Sequence, residues 1–249
     1  MKIALCLSGQ PRGIPLGLDF LDRCLIKPNN IEDVFFHAWH DELKAGQPYN
    51  SAQPNQVGRV GHVKPNTTET LVQRLNPKKY VVEPQKEFPD LRGLKSEPSA
   101  NQELLGSNFY SVFMANELKK QWEQEQGFVY DIVVRTRFDM FYCQPVQIRD
   151  YTEPVEQGKI VVRKKYQDDQ DNFHSLDLPM VDVFAFGNSR VMDVFSSVYP
   201  NMTTLNSKLS VPFGENYLGH HVRVDNNIEL YKAPFEFEIL HRVVDLSKI

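Results

Sequence analysis

Apolar residues cluster along the chain in short runs, separated by amphipathic stretches and polar connections. The run over residues 2–8 reads as a buried strand, and Ser8-Gly9-Gln10-Pro11-Arg12-Gly13 reads as the turn after it. Leu18, Leu21 and Leu25 recur at helical spacing over 17–27, and Pro28 ends that helix. Residues 33–39, DVFFHAW, form a second strand. The polar stretch 41–65 is long for a connection and marks a functional or mobile loop. Asn66, with Glu69 three residues on, resembles a capping box for the next helix. Residues 79–83 form a third strand, and a Pro-rich connection over 84–106 leads to a long helix over 107–126. Phe109, Tyr110, Phe113, Met114, Leu118 and Trp122 form its core stripe, and Gly127 caps its end.

The fourth strand is DIVVRTRFDMFY, residues 131–142. Side chains two apart on a strand share a face. Arg135, Arg137 and Asp139 are therefore expected to project together, opposite Ile132, Val134, Thr136 and Phe138. Residues 159–166 read as a strand at a sheet edge or in a flanking hairpin, and the acidic segment QDDQDNFHSLDLP follows. VDVFAFG (181–187) is a strand, Ser189 caps a helix to Tyr199, and residues 215–222 form a short helix. IELYKA and FEFEIL close the chain as two short β pieces.

Strands alternate with helices through the first 140 residues, then the pattern turns mixed. That is the signature of a single α/β domain around a mixed, largely parallel sheet. Such sheets bind ligands outside the carboxyl ends of their strands. Three strand ends carry unusual polar groups: Ser8 to Arg12, His37 to His40, and Arg135 to Asp139. They are expected to converge.

Composition narrows the classes. The chain has 249 residues, 41% hydrophobic and 24% charged, so a large core needs no disulfide or structural metal. A net charge of -4 argues against nucleic acid as the main partner. Cys6, Cys24 and Cys143 are scattered, with no CxxC pair, and are expected to be buried thiols rather than a disulfide framework or zinc site. The apolar run at 3–7 is shorter than a signal-peptide core, and no transmembrane run appears; a cytoplasmic location is expected. GxSxG, HExxH, Walker A and GxGxxG motifs are all missing from the sequence.

Arginine is the natural clamp for phosphate, with its rigid fork of donors. Arg12 lies in a Gly-containing turn, and Arg135 and Arg137 add charge from mid-sheet. A diphosphate with a divalent cation reconciles these arginines with Asp139, because hard cations take carboxylate and phosphate oxygens. The structural alternative is an Arg–Asp ion pair that merely finishes the strand. His37 and His40 lack a third ligand and do not make a recognised metal cage.

Taken in order, LCLSGQPRG, DVFFHAW, YDIVVRTRFDMFY, VDVFAFGNSRVMDVFSSVY and FGENYLGHHV resemble a group of bacterial and large-DNA-virus glycosyltransferases of the GT-A type. In that group an R-x-R-x-D strand stands where others carry Asp-x-Asp. The resemblance implies a GT-A-like sandwich, with residues 1–140 as the nucleotide-sugar half and 141–249 as the acceptor side. It implies a UDP- or GDP-linked sugar donor and a saccharide acceptor in glycan or polysaccharide assembly. Ser8, Gly9, Arg12, Arg135 and Arg137 would lie at the donor, and Asp139 would meet Mn2+ or Mg2+ or the donor sugar. Arg137 stands in place of the motif's first Asp, so metal dependence is open, and its charge would partly replace the metal's on the leaving diphosphate. Members of the wider fold use a late histidine as a metal ligand; the candidates are His220, His221 and His241. An inverting transfer needs a carboxylate base. Glu215 is favoured over Asp182, which would otherwise bind acceptor hydroxyls. Trp39, Phe173 and His174 are candidate sugar contacts. Two other readings stay open: a non-catalytic nucleotide-sugar or glycan-binding module, and a sugar-nucleotide nucleotidyltransferase, whose Gly-rich basic loop SGQPRG only thinly matches.

Overall fold

The structure is a computed structural model that describes residues 1–49, 59–95, 102–164 and 180–248. Four strands run parallel: β1 (Ile3–Gly9), β2 (Asp33–Trp39), β3 (Lys79–Glu83) and β4 (Ile132–Thr136). A short β5 (Met140–Tyr142) leaves this sheet. The sheet continues instead through β6 (Ile160–Arg163), β7 (Ala185–Gly187) and β8 (Leu230–Ala233). The order across it is β3-β2-β1-β4-β7-β6-β8, with β7 antiparallel to both neighbours and β6 parallel to β8. The last strand, β9 (Phe237–Ile239), pairs antiparallel with β5 as a separate ribbon. This is the mixed, largely parallel α/β sheet that the alternating pattern predicts.

Both sheet faces are covered, which is why the central strands read as continuous apolar runs. Leu5, Leu7, Val34, Phe36 and Val134 pack on one side with the helical segment 16–29. Ala4, Cys6, Phe35 and Val133 pack on the other, beneath the helix Gln102–Gln126. That helix starts five residues earlier than expected, and Gly127, at φ +69°, closes it. Its buried residues include Phe109, Val112, Ala115 and Leu118, together with polar Ser111, Asn116 and Lys119. Phe113, Met114 and Trp122 are only partly buried. Small side chains at Ser111 and Ala115 suit a helix lying close on a sheet.

Several boundaries differ for identifiable reasons. The first helix does not stop at Pro28; it widens into a π-turn over Asp22–Ile26 and runs to Asn29. Proline cannot donate to the carbonyl four residues back, and that carbonyl, Cys24 O, accepts instead from Val146 N–H at 2.9 Å. Asn66 adopts a left-handed conformation (φ 57°) and makes no side-chain cap. Its N–H donates to Glu42 Oε2 at 3.1 Å, so the expected capping box does not form. Asn188, not Ser189, caps the next helix by accepting from Val191 N–H at 3.1 Å. β6 is an interior strand rather than an edge. Cys6 and Cys24 are buried as expected, whereas Cys143 is exposed.

The main departure concerns β4, which ends at Thr136. Residues 137–139 turn, Phe138 inserts into the core at 0% exposure, and Asp139 C=O accepts from Leu240 N–H at 2.8 Å. The turn lies directly on Gly17, where any Cβ would overlap the Phe138 carbonyl oxygen. Arg135, Arg137 and Asp139 therefore do not share one pleated face.

Candidate functional site

The chain lays β2 and β3 on one side of β1 and then returns to place β4 on the other side. The reversal makes the crevice at the carboxyl ends of β1 and β4 the switch point where open α/β sheets bind ligands. Ser8 and Gly9 end β1, and Arg135 to Asp139 leave β4, so the predicted residues do meet there, on two levels.

On the level beneath the long helix, Arg135 is 2% exposed and its Nη2 donates to Ser8 Oγ at 3.3 Å. Among the described residues its Nε and Nη1 have no hydrogen-bond partner. Burial pulls its pKa down to about 10, with the charge of Asp182 as the leading opposing influence. Asp182 is half-buried and its Oδ2 accepts from Asn108 Nδ2 at 2.9 Å. An isolated buried guanidinium is expensive unless something pairs with it.

At the turn, Arg137 grips Asp139 with a two-pronged contact, Nε to Oδ1 at 2.7 Å and Nη2 to Oδ2 at 2.9 Å. Asp139 is fully buried, while the Arg137 side chain is 20% exposed. Burial alone would raise the Asp139 pKa; Arg137 first, then Arg12, outweigh it and hold the group below the ordinary value as a carboxylate. Arg12 lies within the same electrostatic group, and burial takes its pKa down to about 10, so it stays charged near neutrality. Its Nε and Nη2 donate to Gln10 Oε1 at 2.9 and 2.6 Å, which folds the SGQPR turn on itself. His241 is the one of the three late histidines that joins this group; burial pushes its pKa down to about 4, against the pull of Asp139. His221 instead meets Ser197 Oγ at 2.9 Å, and His220 lies 3.6 Å from Asp225.

A relay that sequence reading missed supports the turn. Gly9, at φ +108°, donates its N–H to Ser111 Oγ at 2.8 Å. Ser111 Oγ lies 2.8 Å from His37 Nδ1, and His37 Nε2 lies 3.0 Å from Glu83 Oε1. Burial lowers the His37 pKa, so the ring is neutral near pH 7. Glu83 is held as a carboxylate by Lys86 and His37 against the effect of burial. The carboxylate only accepts, so Nε2 carries the proton and Nδ1 accepts the Ser111 hydroxyl. Residues 9, 37, 83 and 111 are brought together only by the β1-β2-β3 order and the helix above it, so no local motif announces the relay.

The remaining candidates are dispersed. Glu215 lies in the first turn of the helix Gly214–Gly219, and its carbonyl accepts from Met180 N–H at 2.9 Å, two residues before Asp182. Trp39 is buried, donating its indole N–H to Ser107 O at 3.2 Å. His37 and His40 do not share a ligand position: His37 joins the relay and His40 lies 3.0 Å from Glu42. Phe173 and His174 lie outside the described residues.

A divalent cation does not fit these residues as they stand. Both Asp139 oxygens already receive guanidinium N–H groups, and no group of three or more His, Cys, Asp or Glu side chains suited to a metal occurs among the described residues. No helix among the described residues is long and apolar enough to cross a membrane.

No family model and no curated protein matches the chain. Among solved structures it is similar to mouse xyloside xylosyltransferase 1 in its apo form, at 12% sequence identity and a TM-score of 0.40, over 93% of this chain and 84% of that one. A likeness at that level carries no functional weight, so the function has to be argued from the residues of the site.

Proposed function

We propose that the chain is a glycosyltransferase of the GT-A type that moves a sugar from a nucleotide-diphosphate donor, UDP- or GDP-linked, to a saccharide acceptor. The observation that carries the reading is the gathering of Arg12, Arg137 and Arg135 with the Ser8-Gly9 turn at the β1/β4 switch point. Around Asp139 the two guanidinium groups outnumber the carboxylate, leaving local positive charge for a diphosphate. Arg135, whose Nε and Nη1 have no partner among the described residues, is a donor for the sugar or its leaving oxygens. Asp182 and Glu215 are the acceptor-side carboxylates of this reading; Asp182, held by Asn108 beside Arg135, fits a base or a hydroxyl anchor.

The test is release of free nucleotide from a panel of UDP- and GDP-sugars, paired with thermal shifts. The reading predicts stabilisation by the matching diphosphate and slow nucleotide release from the matching donor. No shift with UDP-, GDP-, CMP- or dTDP-linked ligands would count decisively against it. One observation favours a second reading, a non-catalytic nucleotide-sugar-binding module: Asp139 is buried and paired rather than presented to a ligand. That module would be stabilised by donor yet release no nucleotide.

A further inference from the structure

The two charged residues of the turn after β4 divide their labour. Asp139 has no exposed surface, and each of its oxygens is taken by one N–H of Arg137. Arg137 is a fifth exposed. Its contacts with Asp139 use Nε and one proton of Nη2, so Nη1 and the second Nη2 proton are left over by that pair. We propose that the site holds a nucleoside diphosphate without a resident divalent cation, with Arg137 and Arg12 supplying the positive charge and Asp139 acting as the positioning residue for Arg137. This rests on the donor-binding reading above and specifies how that donor is held.

Three considerations support it. A bidentate guanidinium–carboxylate pair is the strong form of this contact, and a metal at Asp139 would have to displace it or share the remaining lone pairs of a carboxylate with no exposed surface. Either way Arg137, Arg12 and the metal would be three positive centres around one carboxylate. The ligand count is also short, because Mg2+ and Mn2+ favour near-octahedral oxygen coordination. Asp139 is the only carboxylate that the turn provides, and no cluster of three or more metal-binding side chains is present among the described residues. Finally, the rim carries charge of the sign a diphosphate needs: Arg12, Arg135 and Arg137 against Asp139 and Asp182 leave one net positive charge, with His241 neutral.

The experiment uses the full chain and two probes, Mn2+ and a nucleoside diphosphate (UDP, then GDP). Free Mn2+ is read by electron paramagnetic resonance with protein alone and with protein plus nucleotide, and nucleotide affinity is read by calorimetry in EDTA and in Mn2+. The expected result is no Mn2+ uptake by the chain alone, none beyond that of the nucleotide itself in the mixture, and affinities within threefold in the two buffers. Arg137→Lys, which keeps the charge and loses the fork, is expected to weaken nucleotide binding at least tenfold in both buffers. Uptake of one Mn2+ per chain that Asp139→Asn abolishes, or nucleotide binding at least tenfold tighter in Mn2+, would overturn the proposal while leaving the donor reading intact. If neither nucleotide binds in either buffer, the donor reading fails. The Mn2+ titration of the chain alone then decides the cation question, since uptake lost in Asp139→Asn would refute the assignment of Asp139 to Arg137.

Discussion

Asp139→Asn isolates the charge of the buried carboxylate while conserving its volume. In the native chain Asp139 is fully buried and takes two N–H bonds from Arg137, which is 20% exposed. Removing one partner of a buried ion pair destabilises by about 3–5 kcal/mol. Arg137 can turn partly to water, and the amide oxygen still accepts one N–H, which together bring the expected loss to about 2–3 kcal/mol. For a chain of this size that is a fall of about 5–10 °C in Tm. Urea unfolding at neutral pH measures it directly. The pH dependence has a defined sign: the folded-state pKa of Asp139 lies below the ordinary value of 3.8. Its contribution is fully present above the unfolded pKa and is lost as pH falls through the lowered folded value. The gap between wild type and variant is therefore expected to be flat above about pH 5 and to close under more acid conditions. Removing both charges, as in Arg137→Met with Asp139→Leu, is expected to recover at least half of the loss. An Asp139→Asn variant within about 0.5 kcal/mol of wild type at pH 7 would show that the pair is not the buried clamp described here.

Gly17→Ala drives a methyl group into the Phe138 carbonyl, so it should destabilise by about 1–3 kcal/mol in urea and weaken UDP or GDP binding by moving the 137–139 turn. Ser111→Ala strips the acceptor from Gly9 N–H and the donor from His37 Nδ1; a loss of about 1–3 kcal/mol and weaker nucleotide affinity are expected by unfolding and calorimetry. Burial depresses the pKa values of His37, His221 and His241, the last to about 4 from an ordinary value of 6.5. For His241 the unfolded chain therefore binds more protons between about 4 and 6.5, and stability should fall as pH drops across that range, by up to about 1.4 kcal/mol per pH unit, with His37 and His221 acting in the same direction. Denaturation series across that range check it, and a flat profile would contradict the burial of these rings.

The parallel half of the sheet was readable because β1, β2 and β4 are buried on both faces and spell continuous apolar runs. What local pattern could not show was decided by tertiary partners. Pro28 ends a helix only if its orphaned carbonyl has no other donor, and Val146 provides one. Asn66 and Glu69 have capping-box spacing, yet Glu42 takes the Asn66 N–H from 24 residues away. The two-residue face rule misassigned Arg137 and Asp139 because β4 stops at Thr136, where the core accepts Phe138 and Gly17 admits the turn. The residue types at the rim, Ser8, Gly9, Arg12, Arg135, Arg137 and Asp139, were legible, as was their meeting at the switch point. Their pairing was not, and neither was the relay through Ser111 and His37, whose members lie in four separate elements.

The central claim is that cations at the β1/β4 rim hold the diphosphate of a nucleotide sugar. A crystal soaked with UDP- and GDP-sugars tests it most directly, because it locates the phosphates. The account predicts phosphate oxygens within hydrogen-bonding reach of Arg12 and the outer edge of Arg137, beside the Ser8-Gly9 turn. Phosphates bound elsewhere on the protein, with this rim empty at saturating ligand, would contradict it.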